Sequence, residues 1–597
     1  MNPSNNTKFT LQCSQTNMID LEYLEKTFQP SEQDSEFGYN PFHIQDIQCY
    51  NPIYSELFTK DEMSAENISL NHPFYIVDLS NVINNETQVN NKAPVFIKFA
   101  PLLDPLRYMI GKYEISDNKT TKLPTLNCNE STHLTKLISK YNASYVDNFF
   151  SFLTSKILQQ HQFVHGLDYY GSFLGIQEKY KMNIMDDLEY LNTSEFFLEN
   201  IGKYFYISDN KYISALKFRN SRGNKPKLTI SGSGSQTKHN TSNVSFIDLG
   251  DSDKPTGLND LDQLDGLEEI YEKPDISSHN STESSYNSSN NSKLNYSSEE
   301  EGDEEEEEGD EEDWSTDSED EKEEEKEEEE EEDWSTDSEE EAVYSYIDNY
   351  PVQMICIEKC DGTLDELFMK NKVTEKTGAS ILFQIVMILL TYQKIFHFTH
   401  NDLHTNNIMY INTDVEYLFY KYKNQVYKVP TYGKIFKLID FGRGIYRFQS
   451  NQYCSDSFFT GGDAATQYNF EPFMNDNKPR LDPNYSFDLC RLGTSIYDFV
   501  IDDYNIHSSN MNKLDGLQDT ILRWCLDDNN KNVLYKRDGS ERYKGFSLYK
   551  MISRSVHNHT PEEQLKFDYF KQFESTNKDI IGNSNLMDID SIPSYAL

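Results

Sequence analysis

The chain has 597 residues, of which 100 are acidic and 54 are basic, and its formal net charge is −46. Residues 299–341 hold 31 acidic side chains and two lysines, so the other 554 residues carry a net charge of only −17. This mildly acidic remainder offers no basic surface for nucleic acid, which argues against nucleic acid as a partner.

The cysteines and the apolar runs indicate the cellular compartment of the protein. The eight cysteines form no C-x-x-C pair, so a zinc site is not expected, and several lie inside apolar runs as reduced thiols do. The longest apolar run, Ile381–Leu390, is interrupted by Gln384 and is too short to span a bilayer. Residues 1–8 lack the apolar core of a signal peptide. We therefore expect a soluble intracellular protein with no membrane partner.

The first part of the chain predicts an extension followed by a mainly β region. Residues 1–69 are polar and rich in asparagine, which favours an N-terminal extension. From residue 70 to residue 221, β-branched and aromatic runs indicate strands, and apolar residues at helical spacing indicate helices. The predicted strands are Phe74–Val77, Val95–Phe99 and Leu167–Phe173, the predicted helices are Val146–His161 and Lys179–Leu198, and a hairpin is predicted near Tyr204–Leu216.

A stretch of different composition, 222–342, interrupts this region. Serine, asparagine and glycine dominate its first part and acidic residues its last part, while apolar residues hardly recur. Such a composition cannot bury enough surface to offset the entropy of ordering, so we expect a disordered insertion. The segment Asp313–Glu319 is copied at Asp333–Glu339, and two copies are too few for a solenoid.

The remainder predicts one more strand and then a helical region. Val352–Glu358 is typical of a core strand, and Glu375–Phe396 is apolar nearly all round, which places that helix in the middle of a domain. The predicted boundaries are 343–360 for the strand and its connection, 361–574 for the helical region and 575–597 for a polar tail. Within the helical region the sequence predicts a strand hairpin in Asp414–Tyr432 and a helix at Phe487–Val500.

The residues with the clearest chemical meaning follow the central helix. The run His400–Asn407 reads H-N-D-L-H-T-N-N, and Asp440–Gly442 reads D-F-G. Phosphoryl transfer depends on positioning and charge neutralisation more than on covalent help from the protein. The carboxylate of Asp402 suits the uptake of an acceptor's proton, and Asn407 and Asp440 suit oxygen ligation of Mg²⁺. The simpler alternative is a polar loop followed by a turn that contains glycine.

Together these runs resemble the H-x-D-L-x-x-x-N catalytic loop and the D-F-G motif of protein kinases. A third run, Asp488–Asp498, resembles the kinase helix whose aspartate ties back to the catalytic loop. The resemblance implies an α+β, two-lobed kinase fold, with a small mainly-β lobe over a helical lobe and ATP between them. It also implies an ATP- and Mg²⁺-dependent serine/threonine kinase that acts on protein substrates. The residue usage and the acidic insertion resemble divergent kinases of giant DNA viruses, which would place the protein in the host cytoplasm or the virion.

The resemblance gives each candidate residue a role. Asp402 would be the catalytic base, and His404 would lie near the transferred phosphate. Asn407 and Asp440 would bind Mg²⁺. The remaining ATP contacts would come from Lys98 at the phosphates and from Ile357, Glu358 and Cys360 around the adenine.

Three features depart from the kinase pattern. No glycine-rich loop precedes Lys98, and the asparagine-rich Ser80–Asn85 stands in its place, although asparagine tolerates left-handed backbone conformations. The predicted helix before Leu167 has no glutamate, so Asp147 either pairs with the lysine or is an acid that favours the helix dipole. Asn401 replaces the usual arginine, so activation through a phosphorylated loop is not expected. The alternatives are a catalytically impaired pseudokinase or scaffold and, because of His404, an atypical small-molecule kinase.

Overall fold

A computed structural model describes residues 11, 13–15, 19–63, 68–115, 118–208, 342–501, 514–536, 539–576 and 585–597. The predicted insertion, except for its last residue, lies outside the described residues, and so do its acidic repeats. The second half of the hairpin predicted near Tyr204–Leu216 also lies outside them.

The described part of the chain combines helices with mostly antiparallel sheets, so the fold is of mixed α and β character. The helices are α1 Leu21–Thr27, α2 Glu32–Glu36, α3 Tyr54–Leu57, α4 Pro105–Met109, α5 Thr135–Ile138, α6 Ala143–His161, α7 Leu188–Leu191, α8 Glu195–Asn200, α9 Leu364–Met369, α10 Glu375–Phe396, α11 Phe487–Val500, α12 Gly516–Trp524, α13 Phe546–Ser555, α14 Pro561–Gln564 and α15 Asp568–Lys571. The strands are β1 Cys13–Gln15, β2 Ile44–Gln48, β3 Ile68–Leu70, β4 Phe74–Asp78, β5 Asn81–Asn84, β6 Asn90–Lys92, β7 Val95–Pro101, β8 Tyr169–Asn183, β9 Phe205–Ile207, β10 Tyr344–Glu358, β11 Gly362–Thr363, β12 Ile408–Asn412, β13 Tyr417–Tyr422, β14 Gln425–Pro430, β15 Lys434–Leu438, β16 Ile445–Phe448, β17 Asn451–Cys454, β18 Glu574–Ser575 and β19 Leu586–Asp588.

The largest sheet has the strand order β2–β8–β10–β7, and β9 also pairs with β10. All these pairings are antiparallel, and β10 is the central strand. Its register against β7 places Ile355 opposite Lys98. The extension predicted at residues 1–69 contributes β2, which covers one edge of this sheet. Ile19, Leu24 and Phe42 of the same extension are buried in a core cluster with residues of β7, β8 and β10.

Helix α6 packs its aromatic residues into the main core. It starts at Ala143, earlier than the predicted Val146, because the Asn142 side chain accepts a hydrogen bond from Ser144 N at 3.0 Å and caps the first turn. Phe149, Phe150 and other apolar side chains of α6 are almost fully buried. Burying such large rings is the main stabilising contribution that this helix makes. It fixes α6 beside the sheet and beside the segment that begins at Asp440.

Helix α10 is the centre of the helical part, with the bounds that the sequence predicts. Thr374 and Thr377 form a reciprocal capping box at its start. Among the described residues it is the helix long and apolar enough to cross a membrane, and 94% of its apolar window is buried inside the protein. The prediction of an apolar helix in the middle of a domain is therefore confirmed.

Other predicted elements differ in outcome. The hairpin predicted in Asp414–Tyr432 is confirmed as β13 and β14, and the helix Phe487–Val500 is confirmed as α11. The single helix predicted at Lys179–Leu198 is wrong: the range is helical only in α7 and α8, and its first five residues continue β8. There Lys179 forms an ion pair of 2.9 Å with Asp348 on the neighbouring β10, so a cross-strand partner overrides the local pattern.

The last described residues pack against the fold, which their polar composition does not indicate. Strand β19 pairs in parallel with β13, next to the hairpin. The ammonium of Lys394, near the end of α10, donates to the carbonyl oxygen of Ile592 at 2.6 Å. Ile589 and Ile592 are buried. The C-terminal segment thus completes the surface around the hairpin and α10.

Candidate active site

The loop after α10 is held by one buried carboxylate. Asp488, in the first turn of α11, accepts hydrogen bonds from the backbone N–H groups of His400 at 2.8 Å and Asn401 at 2.9 Å. His400 in turn bonds through Nε2 to the carbonyl oxygen of Ile439 at 3.0 Å. A buried carboxylate needs such donors to offset its lost hydration. The loop is therefore anchored both to α11 and to the residue before Asp440.

Asn401 joins this loop to the segment after Asp440. It is fully buried with φ +63°, a conformation that asparagine adopts more readily than most residues. Its Oδ1 accepts a hydrogen bond from the Tyr468 hydroxyl at 2.8 Å, and its Nδ2 donates to the carbonyl oxygen of Arg443 at 3.0 Å. Neutral hydrogen bonds of the Asn401 side chain therefore connect the loop and the segment.

Asp402 and Asn407 lie at opposite ends of one turn. Asn407 donates from Nδ2 to the carbonyl oxygen of Asp402 at 2.9 Å, which leaves its amide oxygen as the atom suited to a metal. The Asp402 side chain is 27% exposed, its Oδ1 accepts from the Tyr549 hydroxyl at 2.8 Å, and its Oδ2 lies 3.7 Å from the guanidinium of Arg443. The loop therefore presents a carboxylate and an amide oxygen in a fixed mutual arrangement.

Lys98 lies between two carboxylates from distant parts of the chain. Its Nζ donates to Asp147 Oδ2 at 2.6 Å and to Asp440 Oδ1 at 2.8 Å. The Asp147 side chain is 4% exposed, whereas that of Asp440 is 48% exposed. Of the two readings that the sequence left open for Asp147, the structure shows the pairing with Lys98. The lysine is thus fixed on the buried side by α6 and shares the exposed side with Asp440.

The charges of this cluster follow from its geometry. Burial disfavours the ammonium of Lys98, but the carboxylates of Asp147 and Asp440 outweigh burial and raise its pKa. Lys98 in turn lowers the pKa of Asp440 to about 2. Burial raises the pKa of Asp147, although Lys98 opposes that rise. At neutral pH the lysine is therefore charged, and the exposed carboxylate beside it is ionised and suited to a cation.

Phe441 locks the position of Asp440. The backbone N–H of Phe441 donates to Asp147 Oδ1 at 2.9 Å, so one carboxylate holds both Lys98 and the start of the D-F-G run. The Phe441 ring is fully buried, with its centroid 4.8 Å from that of Phe150 on α6. Asp440 itself has φ +61°. The aromatic packing and the hydrogen bond supply the support that such a backbone conformation needs.

The end of β10 is tied to the strand that leads to Asp440. Lys437 on β15 is 3% exposed, forms an ion pair with Glu358 and donates to the carbonyl oxygen of Gly166 at 2.8 Å. Burial, with the nearby charge of Glu358, raises the pKa of Asp168 to about 6. The carboxylate of Glu358 also accepts from the backbone N–H of Asp168 at 2.9 Å, and the backbone N–H of Glu358 donates to the carbonyl oxygen of Asp168 at 3.0 Å, so both the side chain and the N–H of Glu358 have protein partners. Ile357 is buried in the main core.

Cys360 and His404 have fewer contacts than the other predicted site residues. Within the described chain, no residue forms a hydrogen bond to the backbone N–H or C=O of Cys360, so both groups remain for a ligand. The imidazole of His404 likewise has no hydrogen bond among the described residues. Burial lowers the pKa of His404, with Asp402 and Asp440 among the charges that oppose this. The charges of both Asp402 and Asp440 therefore act on the imidazole of His404.

A polar turn without glycine lies at the start of the asparagine-rich Ser80–Asn85. Strands β4 and β5 form a hairpin just before β7. In its turn, the Asp78 carboxylate accepts from Ser80 N at 2.7 Å and from Asn81 Nδ2 at 2.9 Å. Side-chain hydrogen bonds thus shape a turn that glycine would otherwise permit.

The sequence did not indicate three residues of the site. Arg443 pairs with Asp402 and with Asp463, the latter at 2.8 Å, and its only sequence signal is its place after the D-F-G run. Lys437 lies among apolar residues of β15, and a lysine in such a run is a signal of a buried ion pair. Tyr549 on α13 carried no signal.

Comparisons with known proteins give partial similarities to viral proteins. No protein-family model matches the chain. It is 27% identical over 233 residues to "Uncharacterized protein 098R" of Invertebrate iridescent virus 6, which covers 37% of this chain and 34% of that protein. It is 32% identical over 142 residues to "Putative serine/threonine-protein kinase R301" of Acanthamoeba polyphaga mimivirus, which covers 23% of this chain and 31% of that protein. The chain thus spans about a third of the length of each of these relatives.

Proposed function

We propose that this chain is an ATP- and Mg²⁺-dependent phosphotransferase, a serine/threonine protein kinase that transfers the γ-phosphate of ATP to protein hydroxyls. The observation that carries the proposal is the double contact of Lys98 with Asp147 and Asp440. It places a fixed cation beside an ionised, half-exposed carboxylate, which is what a triphosphate and its metal require. Partial similarity to a viral protein named as a kinase supports it.

On this proposal the fold is a two-lobed kinase fold. The small lobe comprises the sheet β2–β8–β10–β7 with α6, and the large lobe is built around α10 and α11. The predicted insertion falls between β9 and β10, within the small lobe. Residues 359–361 would form the connection between the lobes, with the nucleotide beside it.

Each residue of the site has one task in the proposed reaction. Asp402 takes the proton of the acceptor hydroxyl. Asn407 Oδ1 and the carboxylate of Asp440 would hold Mg²⁺, which neutralises phosphate charge when bound. This ligand pair suits Mg²⁺, since the ion is usually bound by one or two protein oxygens together with phosphates and water. Lys98 holds the phosphates in position.

The other candidate residues act on the nucleotide's two ends. The backbone groups of Cys360, together with the carbonyl of Glu358, would bind the adenine edge, and Ile357 would lie behind the base. His404 would lie by the transferred phosphate, where its protonated form adds positive charge. Because burial lowers the pKa of His404, the protonated form is a minority at neutral pH.

One observation favours a second candidate, a nucleotide-binding scaffold without transfer activity. The turn at Asp78–Asn81 contains no glycine, so it offers fewer backbone N–H groups at close approach to phosphates. We favour the enzyme because the groups of the chemical step are all present, whereas phosphate contacts can be supplied by other donors.

The test is phosphate transfer from labelled ATP by the full chain, to itself and to casein as a generic acceptor. Asp402→Asn should bind Mg-ATP nearly as wild type does but transfer at least about 100-fold more slowly, the low end of general-base contributions. Asp440→Asn should abolish Mg²⁺-dependent transfer. Asp348→Asn, which breaks an ion pair on β10 outside the site, is the matched control. If wild type transfers phosphate no faster than Asp402→Asn, the enzyme proposal is wrong and the nucleotide-binding scaffold is the better proposal.

A further inference from the structure

The candidate base already has a hydroxyl bound to it. Tyr549, on the first turns of α13, donates from its phenol to Asp402 Oδ1 at 2.8 Å. Among the described residues it is the side-chain hydroxyl that donates to Asp402. A general base must lie about 2.6–3.2 Å from the oxygen whose proton it removes, so this contact has the geometry of an acceptor on its base.

Two arginines surround the same phenol. Arg491 Nε donates to the Tyr549 oxygen at 2.9 Å. The guanidinium carbons of Arg491 and Arg443 lie 5.1 Å and 5.7 Å from the centre of the Tyr549 ring. Arg443 also lies 3.7 Å from Asp402 Oδ2. The phenol oxygen therefore has an acceptor for its proton on one side and a cation for developing negative charge on the other.

We infer that Tyr549 is an intramolecular phosphate acceptor, a modification site of this chain. The inference rests on the proposed function, which supplies ATP as the phosphate donor. In the step, the Tyr549 oxygen forms a bond to the γ-phosphorus, and its proton passes to Asp402. The bond between the γ-phosphorus and the bridging oxygen breaks, and ADP leaves with that electron pair. Because the fold itself holds the Tyr549 phenol against Asp402, Tyr549 can accept phosphate although the proposed kinase acts on serine and threonine hydroxyls of other proteins.

The product would alter the site through charge. A phosphotyrosine carries about −1.5 to −2 at neutral pH, so it is repelled by Asp402 and attracted to guanidinium groups. Arg491 and Arg443 are already in place to pair with it. The modified side chain would therefore leave Asp402, which becomes free for an external hydroxyl. Phosphorylation of Tyr549 thus removes the Tyr549 hydroxyl from Asp402 and leaves that carboxylate available to an external hydroxyl.

The experiment uses the full chain after phosphatase treatment. It is incubated with Mg-ATP, and phosphorylated residues are mapped by peptide mass spectrometry over time. We expect phosphate on Tyr549 at a fractional rate that is unchanged over a tenfold range of chain concentration, as an intramolecular step requires. Transfer to casein should show a lag that disappears in protein already modified and in Tyr549→Phe. Asp402→Asn should leave Tyr549 unmodified.

Tyr535→Phe is the matched control, because the Tyr535 hydroxyl also bonds a carboxylate, that of Asp498 at 2.9 Å, which has no part in the proposed chemistry. It should retain both the modification of Tyr549 and the lag. Casein phosphorylation with an unmodified Tyr549 would overturn this inference and leave the proposed function standing. A rate of Tyr549 modification that rises with concentration would overturn it as well. If phosphate is transferred to no residue at all, the proposed function itself is overturned.

Discussion

The charge of Asp147 can be removed without removing its shape. In Asp147→Asn, the side-chain oxygen still accepts from Phe441 N–H, which is now 2.9 Å from Oδ1. The amide nitrogen then takes the place of Oδ2, which lies 2.6 Å from the ammonium of Lys98. Two donors face each other there, so Lys98 loses its buried partner and keeps only Asp440. The ammonium should then leave the position in which it would hold phosphates.

The size of the effect follows from the kind of contact that is lost. A hydrogen bond to a charged group is worth about 1.5–3 kcal/mol. Since each 1.36 kcal/mol is a factor of ten in rate, kcat/KM for ATP should fall about 10- to 150-fold. The fold should survive, because the aromatic packing of α6 does not depend on the charge.

The assay is steady-state phosphate transfer to casein at varied ATP, with thermal unfolding measured on each protein. Asp348→Asn is the control, since it breaks the 2.9 Å ion pair with Lys179 on the same sheet, and its kcat/KM should equal that of wild type. A value for Asp147→Asn within twofold of wild type, in a protein as stable as wild type, would refute the role given to this carboxylate.

Three further outcomes concern stability. Lys437→Met should lower the free energy of unfolding in urea by about 3–5 kcal/mol, because it removes the cationic partner of the mostly buried Glu358 carboxylate. Adding Glu358→Gln should recover most of that loss. His165 is fully buried between Phe436 and Tyr420, and burial lowers its pKa to about 3, so stability is lost as pH falls from about 6.5 towards 3. The loss is about 2 kcal/mol at pH 5, and His165→Gln should flatten that part of the curve. Replacing the predicted insertion by a short glycine–serine linker should preserve cooperative unfolding and nucleotide binding. The reason is that Ser208 N donates to the carbonyl oxygen of Tyr344 at 2.9 Å, so the backbone on the two sides of the insertion is already joined. Two separate unfolding transitions would contradict this prediction.

Elements with strong periodic patterns could be predicted from the sequence. Helix α10 has the predicted bounds because it is apolar nearly all round and a threonine capping box marks its start, and α11 has them because its apolar residues repeat at helical spacing. The continuation of β8 through Lys179 could not be predicted, since it depends on pairing with β10, where Asp348 opposite Lys179 is 169 residues away in sequence. Local preference is a weak guide where tertiary contacts decide.

The candidate site was predictable to the same extent. The order of motifs indicated Asp402, Asn407 and Asp440, and their roles remain predictions. The partner of Asp147 depends on a contact across 49 residues, and that of Tyr549 on a contact across 147 residues. No local pattern encodes such pairs, so sequence alone left the first open and gave no signal for the second.

The strand that the extension adds to the sheet has a consequence for self-association. β2 lies along β8, and its register shifts between Gln45 and Gln48, with Asp46 at φ +54°. An irregular edge strand that carries a charge is a poor template for another chain. A chain shortened to start at residue 70 would instead expose the backbone N–H and C=O groups of β8 that β2 now covers. Such a fragment should form oligomers or aggregates through strand addition, even if every catalytic group were intact.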